Sequence, residues 1–429
     1  MTNRNADPNP SPTPLSHLDV LISGASVAGP ALALWLARYG ARVTVLEKAP
    51  ALREGGFAVD FRGETHRTVL RRMGIWDEVH RRQTHMGRQI VVEADDKERF
   101  DLPAFFMSGD VEIFRGDLSK ILFERTEDRV EYVFGDSVAS LTEDSEGVDV
   151  TFDRGAPRRF DIVVGADGLH SHTRRLVFGD ESRHLRFLGY YVACFGVPNH
   201  LGLDRTARIY SEPGRTLMLN NYDGDPARAG AALFFRSDRL DYDRHDTAQQ
   251  KKLIADRYAG LAYRHAATAL EGLENAEDLY FDAIAQIHLD RLHRGRVVLL
   301  GDAGCGATMG GMGTGTALVS AYVLAGELAA ARGDHRAGFA AYEAEILAYA
   351  RGCQKSSANA GAFLAPATER KIRSRDRAYR VLGSRLLAGL FKRLTERTAS
   401  DLVLKDYANQ DRADQYRADQ DYTSLNRQP

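Results

Sequence analysis

Leu18–Glu47 reads LDVLISGASVAGPALALWLARYGARVTVLE, and this stretch decides the fold. Leu18–Ser23 is a continuous apolar run, as in a strand buried on both faces. Gly24-Ala25-Ser26-Val27-Ala28-Gly29 follows at once. Pro30–Tyr39 then has the content of a buried helix, with Pro30 tolerated in its first turn. Ala41–Glu47 is a second strand and ends on an acid 23 positions after Gly24. Strand, glycine-rich turn, helix, strand and acid form the order of a dinucleotide-binding unit. In that unit Gly24 permits the tight turn and Gly29 lets helix and strand approach. The helix N-terminus offers free N–H groups and its positive dipole end to a pyrophosphate. Glu47 is placed to accept hydrogen bonds from a ribose hydroxyl. Ser26 replaces the middle glycine of the fingerprint; a side chain this small fits there, and its hydroxyl can donate to phosphate.

Two later strands end in the same way. Phe160–Val164 (FDIVV) runs into Gly165-Ala166-Asp167-Gly168-Leu169-His170-Ser171-His172-Thr173-Arg174-Arg175. Arg296–Leu300 (RVVLL) runs into Gly301-Asp302-Ala303-Gly304, loop glycines, and a helix expected over 317–330. A strand ending in Gly-Asp before a glycine-rich helix start offers a carboxylate to a sugar hydroxyl and free amides to a carbonyl or phosphate. A GxGxxG-like turn, GADGxxSxxR and GDA…GMG, in this order from about Leu18 to Cys353, resemble the flavin monooxygenases of the para-hydroxybenzoate hydroxylase family. Within it the chain resembles the tetracycline-modifying monooxygenases and related actinobacterial sequences.

The resemblance implies an α/β fold. A Rossmann-like FAD-binding domain (18–85, 112–184 and 286–358) would carry an inserted, mostly antiparallel substrate sheet (86–111 and 185–285). A helical segment (359–407) would follow. It implies FAD as cofactor and NAD(P)H as reductant. Residue by residue, Glu47 matches the acid on the adenosine ribose, and Lys48 stands where the family has Arg or Lys. Arg53 resembles an arginine associated with the nicotinamide cofactor, and Asp60 matches a flavin contact. Arg115 matches the R-x-x-L arginine at the phosphate–ribityl region. Asp167 and Gly168 match the DG motif of FAD and NAD(P)H binding. Asp302 matches the acid on the ribityl chain, and Gly311 and Gly313 match the glycines facing the isoalloxazine. No catalytic side chain is assigned, since in this family the flavin carries the reaction.

Departures cluster after Asp302. The family follows GDA with His or Tyr and then a proline; this chain has Cys305, Ala307, Thr308 and Met309, in a loop one residue short. Gly315 stands where several relatives start the helix with Asn. FAD binding is untouched by these changes, but oxygen handling is put in question. The leading reading is a monooxygenase hydroxylating a polycyclic or polyketide-like molecule in natural-product metabolism. The alternatives are an FAD reductase, dehydrogenase or cyclase without oxygen insertion, and a binding protein on the same fold. Phe105, Phe106, Tyr190, Tyr191, Phe234 and Phe235 are candidates to line a pocket for a flat substrate, although strand aromatics are more often core.

Composition removes other classes. A length of 429 residues allows two cores. A net charge of -2 gives no footprint for nucleic acid or an anionic membrane. No apolar run approaches the ~18 residues of a spanning helix, and the N-terminus lacks a signal-peptide core. Cys194, Cys305 and Cys353 match no metal or disulfide spacing, no metal site is expected, and a reducing cytoplasm fits. Monomer and homodimer are both compatible. Residues 1–17 and 408–429 are polar and expected to be disordered. Residues 371–404 are expected as a surface helix packing a Leu/Val face on the flavin domain. His66, His170 and His172 are expected to be surface or hydrogen-bonded residues.

Overall fold

The computed structural model describes residues 13–52, 56–102, 109–221, 224–309, 313–382 and 402–407. Its centre is a six-stranded sheet in the order 293–294, 297–299, 162–165, 19–23, 42–47, 131–134. All its neighbours are parallel except the edge pair 293–294 with 297–299. Strand Asp19–Ser23 sits in the middle because both its faces are apolar and both are covered. Helix Ala28–Arg38 packs on one face, backed by helix Gly313–Ala330, which starts four residues earlier than the sequence suggests. A three-stranded sheet, 138–143, 148–152 and 158–160, covers the other face around Leu21, Leu46 and Val163.

The second body is a seven-stranded sheet in the order 280–287, 185–198, 228–236, 215–220, 207–212, 89–92, 98–102. It is antiparallel apart from the pairing of 207–212 with 89–92. Residue alternation divides its two faces. Tyr191 and Phe235 point to one face, where they stack on Phe281 beneath helices Thr247–Tyr258 and Ala266–Asn275. Val192, Phe234 and Met218 point to the other. Tyr190 and Tyr280 share that second face.

Two expectations are corrected. The ordered chain begins before Leu18: Leu15 is fully buried and its N–H donates to Tyr39 O at 3.0 Å, so it caps the first sheet's core. Of the expected stretch 371–404, Leu402 and Leu404 do pack against the flavin-domain core, but helix Glu369–Leu382 does not. It lies on the second sheet through Ile372, Arg375 and Tyr379, with Arg375 donating to Ser211 Oγ at 3.2 Å and Tyr379 edge-on to Phe363. A charged residue faces inward there because the Asp376 carboxylate balances its charge and Ser211 and the carbonyls of Phe363 and Leu364 take its remaining N–H groups. His66 is buried and hydrogen-bonded, which is one of the two states expected of it. The expectations for 1–12, 383–401 and 408–429 lie outside the described residues.

Candidate functional site

The glycine-rich turn is built as its spacing requires. Gly24 has φ +114°, a backbone state that L side chains rarely adopt, and a Cβ there would lie 2.4 Å from Ala166 O. A Cβ on Gly29 would lie 1.9 Å from Gly24 O, so any side chain would push the helix off the strand. Glu47 accepts from the N–H groups of Ala25 and Ala49, each at 2.9 Å, and so clasps the turn from the neighbouring strand end. A carboxylate retains lone pairs beyond those two bonds, which suits a ribose hydroxyl. Lys48 is exposed beside it.

Ser26 has a partner that the sequence did not reveal. Arg115, the first residue of helix Arg115–Glu124, donates through Nε to Ser26 Oγ at 3.1 Å. The serine that departs from the fingerprint thus holds Arg115, and its hydroxyl hydrogen is left to donate.

Asp302 begins a short helix, Asp302–Cys305, after Gly301 at φ +59°. Its side chain is reached by water yet is walled in by protein. That surrounding protein pushes the carboxyl above the usual aspartate range, while the Arg115 guanidinium pulls it down. A Cβ on Gly313 would lie 3.7 Å from Asp302 Oδ1, so the first turn of helix Gly313–Ala330 forms the adjoining wall. Across the cleft Phe57, from the first body, meets Tyr280, from the second, with ring centroids 5.0 Å apart. Neither ring was singled out from the sequence: Phe57 lies in a glycine-rich run, and Tyr280 opens a strand that reads as core.

Asp60 and Glu112 stand directly opposite each other in a two-stranded ribbon. Both are buried, and burial raises both carboxyls, Glu112 to about 7 despite a 2.6 Å hydrogen bond from Thr84 Oγ1. Arg62 pairs with Asp60 and pulls its carboxyl back down against burial. Asp167 turns into its own loop, where it accepts from Thr173 N–H at 2.8 Å and from the hydroxyls of Thr173 and Ser171. Gly168 has φ +82° and nothing within 4 Å of its would-be Cβ, leaving its backbone open.

The second motif is tied to the third. Arg174, fully buried, donates to Ala303 O at 3.0 Å, Leu169 O at 2.7 Å and Glu181 Oε2 at 3.0 Å. His170 lies between Glu181 Oε1 and Asp282 Oδ1, each at 3.0 Å, and so joins the cofactor body to the second sheet. Burial alone would lower its pKa, but hydrogen bonds with Asp282 and Glu181 outweigh burial and raise it.

The departures after Asp302 also have a geometry. Gly306–Thr308 runs along strand Tyr280–Ile287: Ile287 N–H donates to Gly306 O at 2.9 Å, and Thr308 N–H to Ala285 O at 3.0 Å. Gln354 Nε2 donates to Ile287 O at 2.6 Å, and Gln286 Nε2 to Gln354 O at 2.7 Å. Met309 has φ +66°, which proline cannot adopt. The loop is therefore held by pairing with the seven-stranded sheet instead of by a proline. Among the sequence candidates, Phe234 and Tyr190 face the cleft side of the sheet, and Tyr191 and Phe235 are core on the other. Arg53, Gly311, Phe105 and Phe106 lie outside the described residues.

A glycine-lined turn that admits no Cβ, an arginine and a water-reached acid on one cleft fit a dinucleotide carrying a polyol, as FAD does. Comparison with known proteins agrees. Residues 17–357 match the family described as FAD binding domain. A flavin-dependent monooxygenase of Legionella longbeachae is 35% identical over 345 residues, covering 79% of this chain and 87% of the relative. An uncharacterized protein of Mycobacterium tuberculosis is 43% identical over 335 residues, covering 76% of this chain and 89% of the relative. The crystal structure of the tetracycline destructase Tet(55) superposes with TM-score 0.79 at 33% identity, covering 91% of this chain and 99% of that one. The chain binds FAD as an oxidoreductase, and it belongs to the FAD-binding family of flavin-dependent monooxygenases.

Proposed function

We propose that this protein is a cytoplasmic, NAD(P)H-using monooxygenase that hydroxylates a polycyclic or polyketide-like small molecule in natural-product metabolism. The observation that carries this reading is the contact of Phe57 with Tyr280. It brings an aromatic ring from the second sheet to the cleft that holds Arg115 and Asp302. On the same face Val192, Met218 and Phe234 are covered by Leu364, Ala365 and Tyr379, so the part left for a flat apolar ligand is the half-buried stretch at Tyr280 and Tyr190. The named relatives are consistent with that class: they include a tetracycline destructase and a fungal FAD-dependent monooxygenase of Sarocladium schorii, the latter 33% identical.

When bound, FAD supplies the redox and oxygen chemistry. The chain's own residues bind and shield it. Ser26, Arg115 and Glu47 hold the dinucleotide side, Asp302 holds a ribityl hydroxyl, and Gly306–Thr308 closes the ring side by pairing with the sheet. Lys48, Asp60, Gly168 and Gly313 complete the proposed cofactor contacts, with Asp167 acting through the loop it caps. Because that closing loop is pinned to strand Tyr280–Ile287, the ring side and the substrate sheet move as one unit, which favours exclusion of water.

Rapid-mixing reduction of the holoenzyme by NADH and by NADPH, with and without a panel of polycyclic phenols and polyketides, tests this. Faster flavin reduction or oxygen-dependent product with a panel member supports the reading. A product formed equally well without oxygen assigns the chain to the reductase or cyclase alternative.

A further inference from the structure

Gly315, in the first turn of helix Gly313–Ala330, has another residue's side chain where its own would be. A Cβ built on it would lie 2.0, 2.3 and 2.4 Å from Cε1, Nε2 and Nδ1 of His66. The imidazole therefore fills the volume that a side chain at position 315 would take. His66 comes from a different element, helix Gly63–Met73, and is 1% exposed.

Its orientation is fixed from both ends. Arg62 N–H can only donate and meets Nδ1 at 3.1 Å, so the ring hydrogen sits on Nε2, which donates to Tyr349 Oη at 3.0 Å. Tyr349 belongs to helix His335–Ser357, so the ring is wedged among three helices. Burial keeps it neutral, lowering its pKa to about 4, with Arg62 acting in the same direction and Asp110 against it.

The wedge bears on the cleft. Gly313, two residues before Gly315, borders Asp302. The first N–H groups of a helix have no intrahelical acceptor and are available to a ligand. We propose that His66 is a positioning residue for the flavin: seated in the place of a Gly315 side chain, it sets where this first turn presents its free amides to the isoalloxazine. The inference rests on FAD binding and is independent of the proposed hydroxylation.

Gly315→Ala, His66→Ala and the double variant test it, each titrated with FAD by fluorescence and then poised anaerobically for the flavin midpoint potential and visible spectrum. Gly315→Ala should drive a methyl into the imidazole, weaken FAD binding by about tenfold or more, and shift both spectrum and potential. His66→Ala should shift spectrum and potential with a smaller loss of affinity. The double variant should bind FAD more tightly than Gly315→Ala alone, because the methyl enters the space the ring has left. Wild-type spectrum and potential in His66→Ala, even with lowered thermal stability, would reduce the residue to packing and overturn the proposal. So would a double variant no better than Gly315→Ala. If Gly315→Ala does not fold, the potential and spectrum of His66→Ala decide.

Discussion

Gln354→Leu isolates the clamp on the ring-side loop. Leucine keeps nearly the same volume, so the buried space around residue 354 stays filled. What is lost is the 2.6 Å bond from Nε2 to Ile287 O, with the longer ones to Cys305 O and Gly306 O at 3.4 and 3.5 Å. A buried carbonyl left without a donor costs about 1–3 kcal/mol. If that cost falls on the closed loop, the open population rises by about 5- to 150-fold. The amides of Ile287 and Thr308, which bond across the loop, should exchange faster with deuterium by the same factor. Reduced enzyme without substrate should release hydrogen peroxide faster, since water reaches the ring side. Unchanged exchange at both amides would refute the clamp. Faster exchange with an unchanged rate of peroxide release would show that the loop does not guard the ring.

Further outcomes follow from the same geometry. Asp302→Ala should fold, because its side chain is already reached by water, yet retain little FAD, since each stranded ribityl hydroxyl costs about 1–3 kcal/mol; full occupancy on gel filtration would show that the acid does not hold the cofactor. Ser26→Ala removes the Arg115 anchor and should weaken FAD binding by roughly fivefold, or about 1 kcal/mol at this half-buried site, with an unaltered affinity counting against that role. His170→Gln addresses the charged bridge. The folded-state pKa of His170 lies above the ordinary value of 6.5, so its stabilisation is full below about 6.5 and fades as pH rises through the raised value. The stability gap between wild type and His170→Gln should therefore be widest in mild acid and narrow in alkali. A gap independent of pH would mean that the histidine contributes packing alone.

How much of this was legible in the residues follows from the range of each interaction. The βαβ unit at Leu18–Glu47 is local: glycine spacing, apolar runs and the closing acid all lie within one supersecondary unit. Asp302 was legible for the same reason, a strand ending on Gly-Asp. The pairs that complete the site were not. Ser26 and Arg115 lie 89 positions apart and meet only because two separate elements converge on the cleft. His66 fills the place of Gly315 from another helix, and nothing in either local sequence announces that exchange. Leu15 sits in a Pro-rich stretch whose composition suggests disorder, yet a pocket over the first sheet takes its side chain. The missing proline looked like a weakness in sequence. In three dimensions Met309 adopts a φ closed to proline, and the backbone pairing of Gly306–Thr308 replaces what the proline would supply.

The central claim is that the bound flavin transfers oxygen to an organic molecule held against the second sheet. Turnover of the holoenzyme under 18O2, with NAD(P)H and the panel member that most accelerates flavin reduction, tests it most directly by the mass of the product. One oxygen atom of the product should come from O2 and none from labelled water. The same product arising unlabelled, or at an undiminished rate under strict anaerobiosis, would contradict it.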